Sequence, residues 1–78
     1  MGEIITKKDL GKVEVNEGQR SFRFTVVELD GKTFLDIRQW ENTERYSGPT
    51  KKGVWLPKEA VLELRNKGIL DEALAEMG

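Results

Sequence analysis

Residues 29–40, LDGKTFLDIRQW, decide the fold of this chain. Asp30-Gly31 lies between two runs rich in aromatic and β-branched residues. This dipeptide is the strongest short signal for a two-residue β-hairpin, because a type I′ turn requires positive φ at both central residues. With these residues as the loop, Leu29 pairs with Lys32 and the register of the whole hairpin is fixed. The further predicted pairs are Val26 with Leu35, Phe24 with Ile37, and Phe22 with Gln39.

The predicted hairpin has one apolar face and one mixed face, because successive side chains of a strand point to opposite sides. The apolar face, which we expect to be a core, carries Phe22, Phe24, Val26, Leu35 and Ile37. The mixed face carries Arg23, Thr25, Lys32, Phe34, Asp36, Arg38 and Trp40. A surface that serves solubility alone has little use for two large aromatic side chains, so we expect the mixed face to have a binding role.

The remaining sequence predicts one domain over residues 1–78, of the α+β class. We expect the sheet to cover about residues 13–56, preceded by an N-terminal arm or short strand at 1–12, with a turn or frayed arm at 7–9. Residues 41–52 are predicted to be a polar loop containing Gly48-Pro49, and residues 53–56 a short fourth strand. A helical segment is predicted over about residues 57–77, with a break or bend at Gly68 and a second start capped by Asp71.

Composition excludes several classes of protein. The chain has no cysteine and no histidine, which rules out disulfides, the usual zinc sites and every histidine-based catalytic triad. No phosphate-binding loop is present, and the carboxylates have no fixed spacing, so we expect no enzyme activity, no cofactor and no bound metal. No apolar run is long enough to span a membrane and no signal peptide is seen, so we expect an intracellular protein without a membrane partner.

The helical half carries more apolar residues than a monomer of this size can cover. They are Val61, Leu62, Leu64, Ile69, Leu70, Leu74 and Met77. One helix cannot cover both surfaces of a sheet. A second copy joined through the helices would bury the excess, and a two-fold homodimer is the commonest arrangement of this kind.

The mixed face has the side chains that hold single-stranded nucleic acid, namely cations that follow phosphates and aromatics on which bases stack. The predicted register sets Arg23 opposite Arg38, and like charges in that position destabilise a sheet unless an anion or Asp36 compensates them. This pairing favours an anion-binding face. The alternative is a second hydrophobic layer, covered by the helix or by a second subunit and formed by Phe34, Trp40, Val27 and Leu29.

Two motifs carry a family resemblance. The run GKxxLDIRxW at residues 31–40, followed by KKGVxLxxE at 51–59, resembles the single-stranded-DNA-binding domain of the transcriptional coactivator family known as positive cofactor four. The resemblance covers residue 29 to about residue 64. It implies a four-stranded curved antiparallel sheet followed by a C-terminal helix, dimerisation through the helices, and grooves across the strands that bind single-stranded or melted DNA.

The resemblance also implies roles for individual residues. Lys32, Arg38, Trp40 and Lys52 match DNA-contacting positions of the family, and Lys51 matches an adjacent basic position. The sequence departs from the pattern at Leu29, where the family often has an aromatic residue.

The sequence therefore predicts a homodimeric, sequence-tolerant protein that binds single-stranded DNA, with RNA left open, and that acts with the transcription, replication or repair machinery. The predicted nucleic-acid-binding residues are Arg23, Lys32, Phe34, Arg38, Trp40, Lys51 and Lys52. The alternative prediction is a dimeric protein-interaction module whose aromatic face binds a peptide or a partner protein. The salt dependence of binding distinguishes these two predictions, because binding to phosphates weakens steeply as the salt concentration rises.

Overall fold

The computed structural model describes residues 2–78 as a four-stranded antiparallel sheet followed by two helices. The strands lie side by side in chain order, and the α+β prediction is confirmed. The strands and α-helices are β1 (Ile5–Val15), β2 (Arg20–Leu29), β3 (Lys32–Asn42), β4 (Ser47–Pro57), α1 (Lys58–Asn66) and α2 (Ile69–Met77), and a short 3₁₀ helix (Asn16–Gly18) joins β1 to β2. Within residues 2–78, neither helix is long and apolar enough to cross a membrane.

The central hairpin has the predicted register. Asp30 and Gly31 have φ values of 52° and 78°, as a type I′ turn requires. Leu29 pairs with Lys32, and every predicted pair from there to Phe22 with Gln39 is present. The two faces of the hairpin are therefore divided as the sequence indicates.

The sheet begins at Ile5 rather than near residue 13, and the predicted turn or frayed arm at residues 7–9 is wrong. The register of β1 against β2 shifts between Thr6 and Lys8 and again between Asp9 and Gly11. Gly11 has a φ of 116°, and its N–H donates to the Asp9 carboxylate at 2.9 Å. These bulges interrupt the two-residue alternation that marks a strand in sequence.

The fourth strand is also longer than predicted. Residues 47–52, expected to be loop, belong to β4, and the turn is confined to residues 43–46, where the Thr43 N–H donates to the Tyr46 carbonyl oxygen. Arg38 pairs with Gly53 but Trp40 pairs with Pro49. Residues 50–52 therefore lie opposite Gln39 alone, which is an irregularity that a sequence pattern does not reveal.

Helix α2 packs on α1, and α1 lies against the apolar face of the sheet. A cavity of about 560 Å³ between them is lined by Phe24, Leu35 and Ile37 from the sheet and by Val61 and Leu64 from α1. We call this side of the sheet the helix face. The two apolar layers face each other there, but the packing is loose enough to leave the cavity between them.

Gly68 divides the helical segment in two, as predicted. Its φ of 63° is left-handed, a conformation that glycine adopts without strain and that ends α1. The predicted cap at Asp71 is wrong, because α2 already begins at Ile69 and Asp71 lies in its first turn. A carboxylate in that turn still stabilises the positive end of the helix.

Candidate nucleic-acid interface

The mixed face of the sheet is open, because the helices occupy the other side. A groove of about 470 Å³ crosses it, and among the side chains lining the groove are Arg23, Asp36, Arg38, Trp40 and Trp55. We call this side the groove face. The alternative in which α1 covers the aromatic side chains is therefore wrong for the single chain.

Arg38 is held in a defined position in the groove. Its Nη2 lies 3.2 Å from Oδ1 of Asp36, and its Nη1 donates to the Thr50 carbonyl oxygen at 3.4 Å. The residue opposite on β4 is Gly53, and a Cβ there would lie 2.8 Å from the guanidinium carbon of Arg38. The absence of a side chain at Gly53 is what allows the guanidinium to lie across β4.

Arg23 stacks on Trp40. Its guanidinium carbon lies 3.8 Å from the centre of the Trp40 ring, a cation–π contact. The Nε of Arg23 is buried without a hydrogen-bond partner. Among residues 2–78 no carboxylate lies within 4.0 Å of this guanidinium, so the ring attracts the cation but no acid neutralises its charge.

Phe34 packs against Trp55. The ring centroids are 5.3 Å apart and the planes are tilted by 33°, within the range of favourable aromatic pairs. Trp55 pairs with Asp36, which puts its side chain on the groove face. Trp55 lines the groove, whereas Phe34 does not line it and packs against Trp55 from the side. The sequence thus indicated Phe34 and missed Trp55, the aromatic residue that borders the groove.

Trp55 was missed for a physical reason. The face of a β4 residue depends on its register against β3, and residues 50–52 alter that register. One signal could have indicated its position. If Gly53 of the KKG motif pairs with Arg38 on the groove face, the alternation of a strand puts residue 55 on the same face.

The predicted lysines lie at the margins of the site. Lys51 and Lys52 are exposed in the irregular part of β4, where the Thr50 hydroxyl donates to the Gln39 carbonyl oxygen at 2.8 Å and accepts from the Lys52 N–H at 3.1 Å. Lys32 is exposed beside the hairpin turn, roughly 26 Å along β3 from Trp40 at ~3.3 Å per residue. The structure therefore brings together Arg23, Arg38 and Trp40, and leaves Lys32 remote from them.

No group of three or more acidic side chains among residues 2–78 lies close enough to hold a metal ion.

The family model described as Transcriptional Coactivator p15 (PC4) matches residues 16–67, which is 52 of the 78 residues. The chain belongs to this family. Membership suggests a DNA-binding, coactivator-like role for this PC4-family protein, and interaction with nucleic acid and the transcription machinery. A search of curated proteins and a search of solved structures each gave no match.

The matched region contains β2, β3, β4 and α1, and with them all seven predicted binding residues of this PC4-family protein. Strand β1 and helix α2 lie outside it. The groove thus combines residues of the family region with residues that the family model does not match, such as Thr6 and Asp9 on β1.

Proposed function

We propose that this PC4-family protein is a homodimeric binding module, not an enzyme, that holds single-stranded DNA on the groove face with little dependence on base sequence. The observation that supports this most is the convergence of Arg23, Arg38 and Trp40 in one open groove. Such a protein would act where DNA is melted, in transcription, replication or repair.

The arginines supply the phosphate contacts. Arg23 and Arg38 are directly opposite each other on neighbouring strands, an arrangement that costs free energy in the absence of an anion. Asp36 compensates only one of them. A phosphate placed between the two guanidinium groups would remove the repulsion, and Lys51 and Lys52 would attract the backbone at the margin of the sheet.

The aromatic side chains supply stacking surfaces. Trp40 lies at one end of the groove and Trp55, supported by Phe34, lies towards the other. A base that stacks on an aromatic ring contributes about 1–3 kcal/mol by alanine substitution, and every base has a π-face to offer. This chemistry requires unpaired bases, because the bases of a duplex are already stacked on one another.

Sequence tolerance follows from the same side chains. Contacts to phosphate position a nucleic acid but carry no sequence information. Reading base edges needs amides or similar groups, and Gln39, the amide nearest to the arginines in sequence, is on the helix face opposite Phe22. Binding in the groove should therefore depend on whether the DNA is single-stranded more than on its base order.

The homodimer is proposed from the exposed apolar surface. Leu70, Leu74 and Met77 on α2 are 69, 69 and 82% exposed, and Val54 on the helix face of β4 is 48% exposed. Within residues 2–78, Val27 is the one buried apolar residue, at 3% exposure. So little burial does not stabilise a folded chain of this length, and a second copy seated on α2 and the helix face supplies the missing core.

A titration with oligothymidine tests the proposal. Trp40 and Trp55 both line the groove, so bound bases should quench or shift the intrinsic fluorescence. The apparent affinity should fall steeply with salt, through counterion release. A fluorescence change produced by an apolar peptide but not by oligothymidine, with no salt dependence, would instead support the protein-interaction alternative.

A further inference from the structure

Three cationic residues lie in a row across the groove face, one on each of the first three strands. Lys12 pairs with Arg23, and Arg23 pairs with Arg38. Adjacent strands are about 4.8 Å apart, so the row crosses the sheet nearly at right angles to the strands. On β4 the row ends at Gly53, which has no side chain to block it.

The row has little internal compensation. Arg38 is paired with Asp36, whereas no carboxylate among residues 2–78 lies within 4.0 Å of the charged groups of Lys12 or Arg23. Two acids on β1 line the spaces beside the row, Asp9 in the main groove and Glu14 in a smaller cavity next to Lys12. Asp9 accepts the Gly11 N–H, and a Glu14 carboxylate oxygen lies 3.5 Å from where a Cβ of Gly18 would be.

A second cavity makes room for a ligand beside Lys12. It has a volume of about 200 Å³ and a lining of mixed charge, in which Lys12 and Arg23 lie together with Glu14 and Glu41 and with the polar side chains of Ser21, Asn42 and Ser47. Arg23 and Trp40 border both this cavity and the main groove, so the two spaces meet at the cation–π stack. The polar lining suits a sugar and phosphate rather than a base, and the phosphate would lie against Lys12 and Arg23, away from the carboxylates of Glu14 and Glu41.

We propose that Lys12 is a further phosphate-binding residue, and that the nucleic-acid backbone crosses the strands along the row Lys12, Arg23 and Arg38. Strand β1 lies outside the residues that the family model matches. In this protein it therefore extends the site by one phosphate position beyond Trp40. The inference rests on the proposed function, since the ligand is the same single strand.

The same strand provides a matched control. Lys8 pairs with Val26, so its side chain is on the helix face, and Lys8→Gln removes the same charge as Lys12→Gln. Oligothymidine binding to the full chain is measured at several salt concentrations for the wild type and both variants. We expect Lys12→Gln to weaken binding several-fold and to lower the slope of log affinity against log salt by about 0.7, the value for one phosphate contact on a single strand. Lys8→Gln should leave the slope unchanged.

Two further variants of Lys12 distinguish a failure of this inference from a failure of the proposed function. Lys12→Arg should retain the wild-type slope, and Lys12→Thr, a substitution suited to a strand, should reproduce Lys12→Gln. If the wild type binds and Lys12→Gln has the slope of Lys8→Gln, the role of Lys12 is refuted while the groove remains. If the wild type does not bind oligothymidine, the proposed function and this inference both fail.

Discussion

The guanidinium of Arg23 covers one face of the Trp40 indole, with its central carbon 3.8 Å from the ring centre. In the free protein, therefore, the cation occupies a surface on which a base would stack. An incoming base must stack on the other face or displace Arg23, and in both cases Arg23 stays within reach of the adjacent phosphate. On the proposed function, the two residues would act as one unit that joins stacking to charge.

Replacing Trp40 with alanine tests the stacking role. We expect Trp40→Ala to weaken oligothymidine binding by about 1–3 kcal/mol, with the fold intact, because Trp40 lies on the open face of the sheet. Isothermal titration gives the affinity and thermal unfolding gives the stability. A Trp55→Phe variant isolates the fluorescence of Trp40. A collapse of thermal stability in Trp40→Ala would assign the residue to the core instead.

Gly53 should control the position of Arg38. A Cβ at this residue would lie 2.8 Å from the Arg38 guanidinium carbon and 2.9 Å from the Ile37 carbonyl oxygen. We expect Gly53→Ala to displace the guanidinium and to weaken binding nearly as much as Arg38→Ala. Their effects on affinity should not be additive, because both act through the Arg38 guanidinium, whereas the clash with the Ile37 carbonyl oxygen should appear as a loss of thermal stability. A double variant that loses the sum of the two single effects would show that Gly53 acts elsewhere.

The affinity contributed by phosphate contacts should not depend on base order. We expect Arg38→Ala and Lys52→Ala each to weaken binding to oligonucleotides of different sequence by about the same factor, and to reduce the salt slope. Lys67→Ala is the control, since Lys67 follows α1 and lies 3.9 Å from Glu63 on the helical side of the molecule. A loss confined to one sequence would indicate base readout by these residues.

The proposed homodimer can be tested by its molecular mass in solution. Light scattering should give about twice the 8.9 kDa of the chain at micromolar concentration. Leu74→Glu should produce a monomer or an unfolded chain, because Leu74 is 69% exposed in the single chain and a charge costs free energy there only if a partner buries it. A wild-type monomer that unfolds cooperatively would contradict the homodimer.

The hairpin could be predicted from sequence because its signal is local. Asp30-Gly31 determines the turn, the turn determines the register, and the register places Arg23 opposite Arg38 and separates the two faces. The break at Gly68 is local in the same sense, since a left-handed glycine ends the helix wherever it occurs.

The outer strands could not be predicted in the same way. The bulges near Lys8 and Gly11 remove the alternation of β1, and residues 50–52 shift β4 against β3. Each outer strand pairs with the strand next to it in the chain, but its register depends on these bulges, which leave no signal in the sequence of the kind that a two-residue turn gives. For that reason the sequence indicated Trp40 but neither Trp55 nor Lys12 as a part of the groove face.

The central claim is that the groove face binds unpaired bases together with their backbone. The most direct test is a competition between a single strand of about 10–20 nucleotides and the duplex of identical sequence, at about 0.15 M salt. We expect the single strand to displace a labelled oligothymidine at much lower concentration than the duplex does. Equal competition by both forms, or a preference for one duplex sequence, would contradict it.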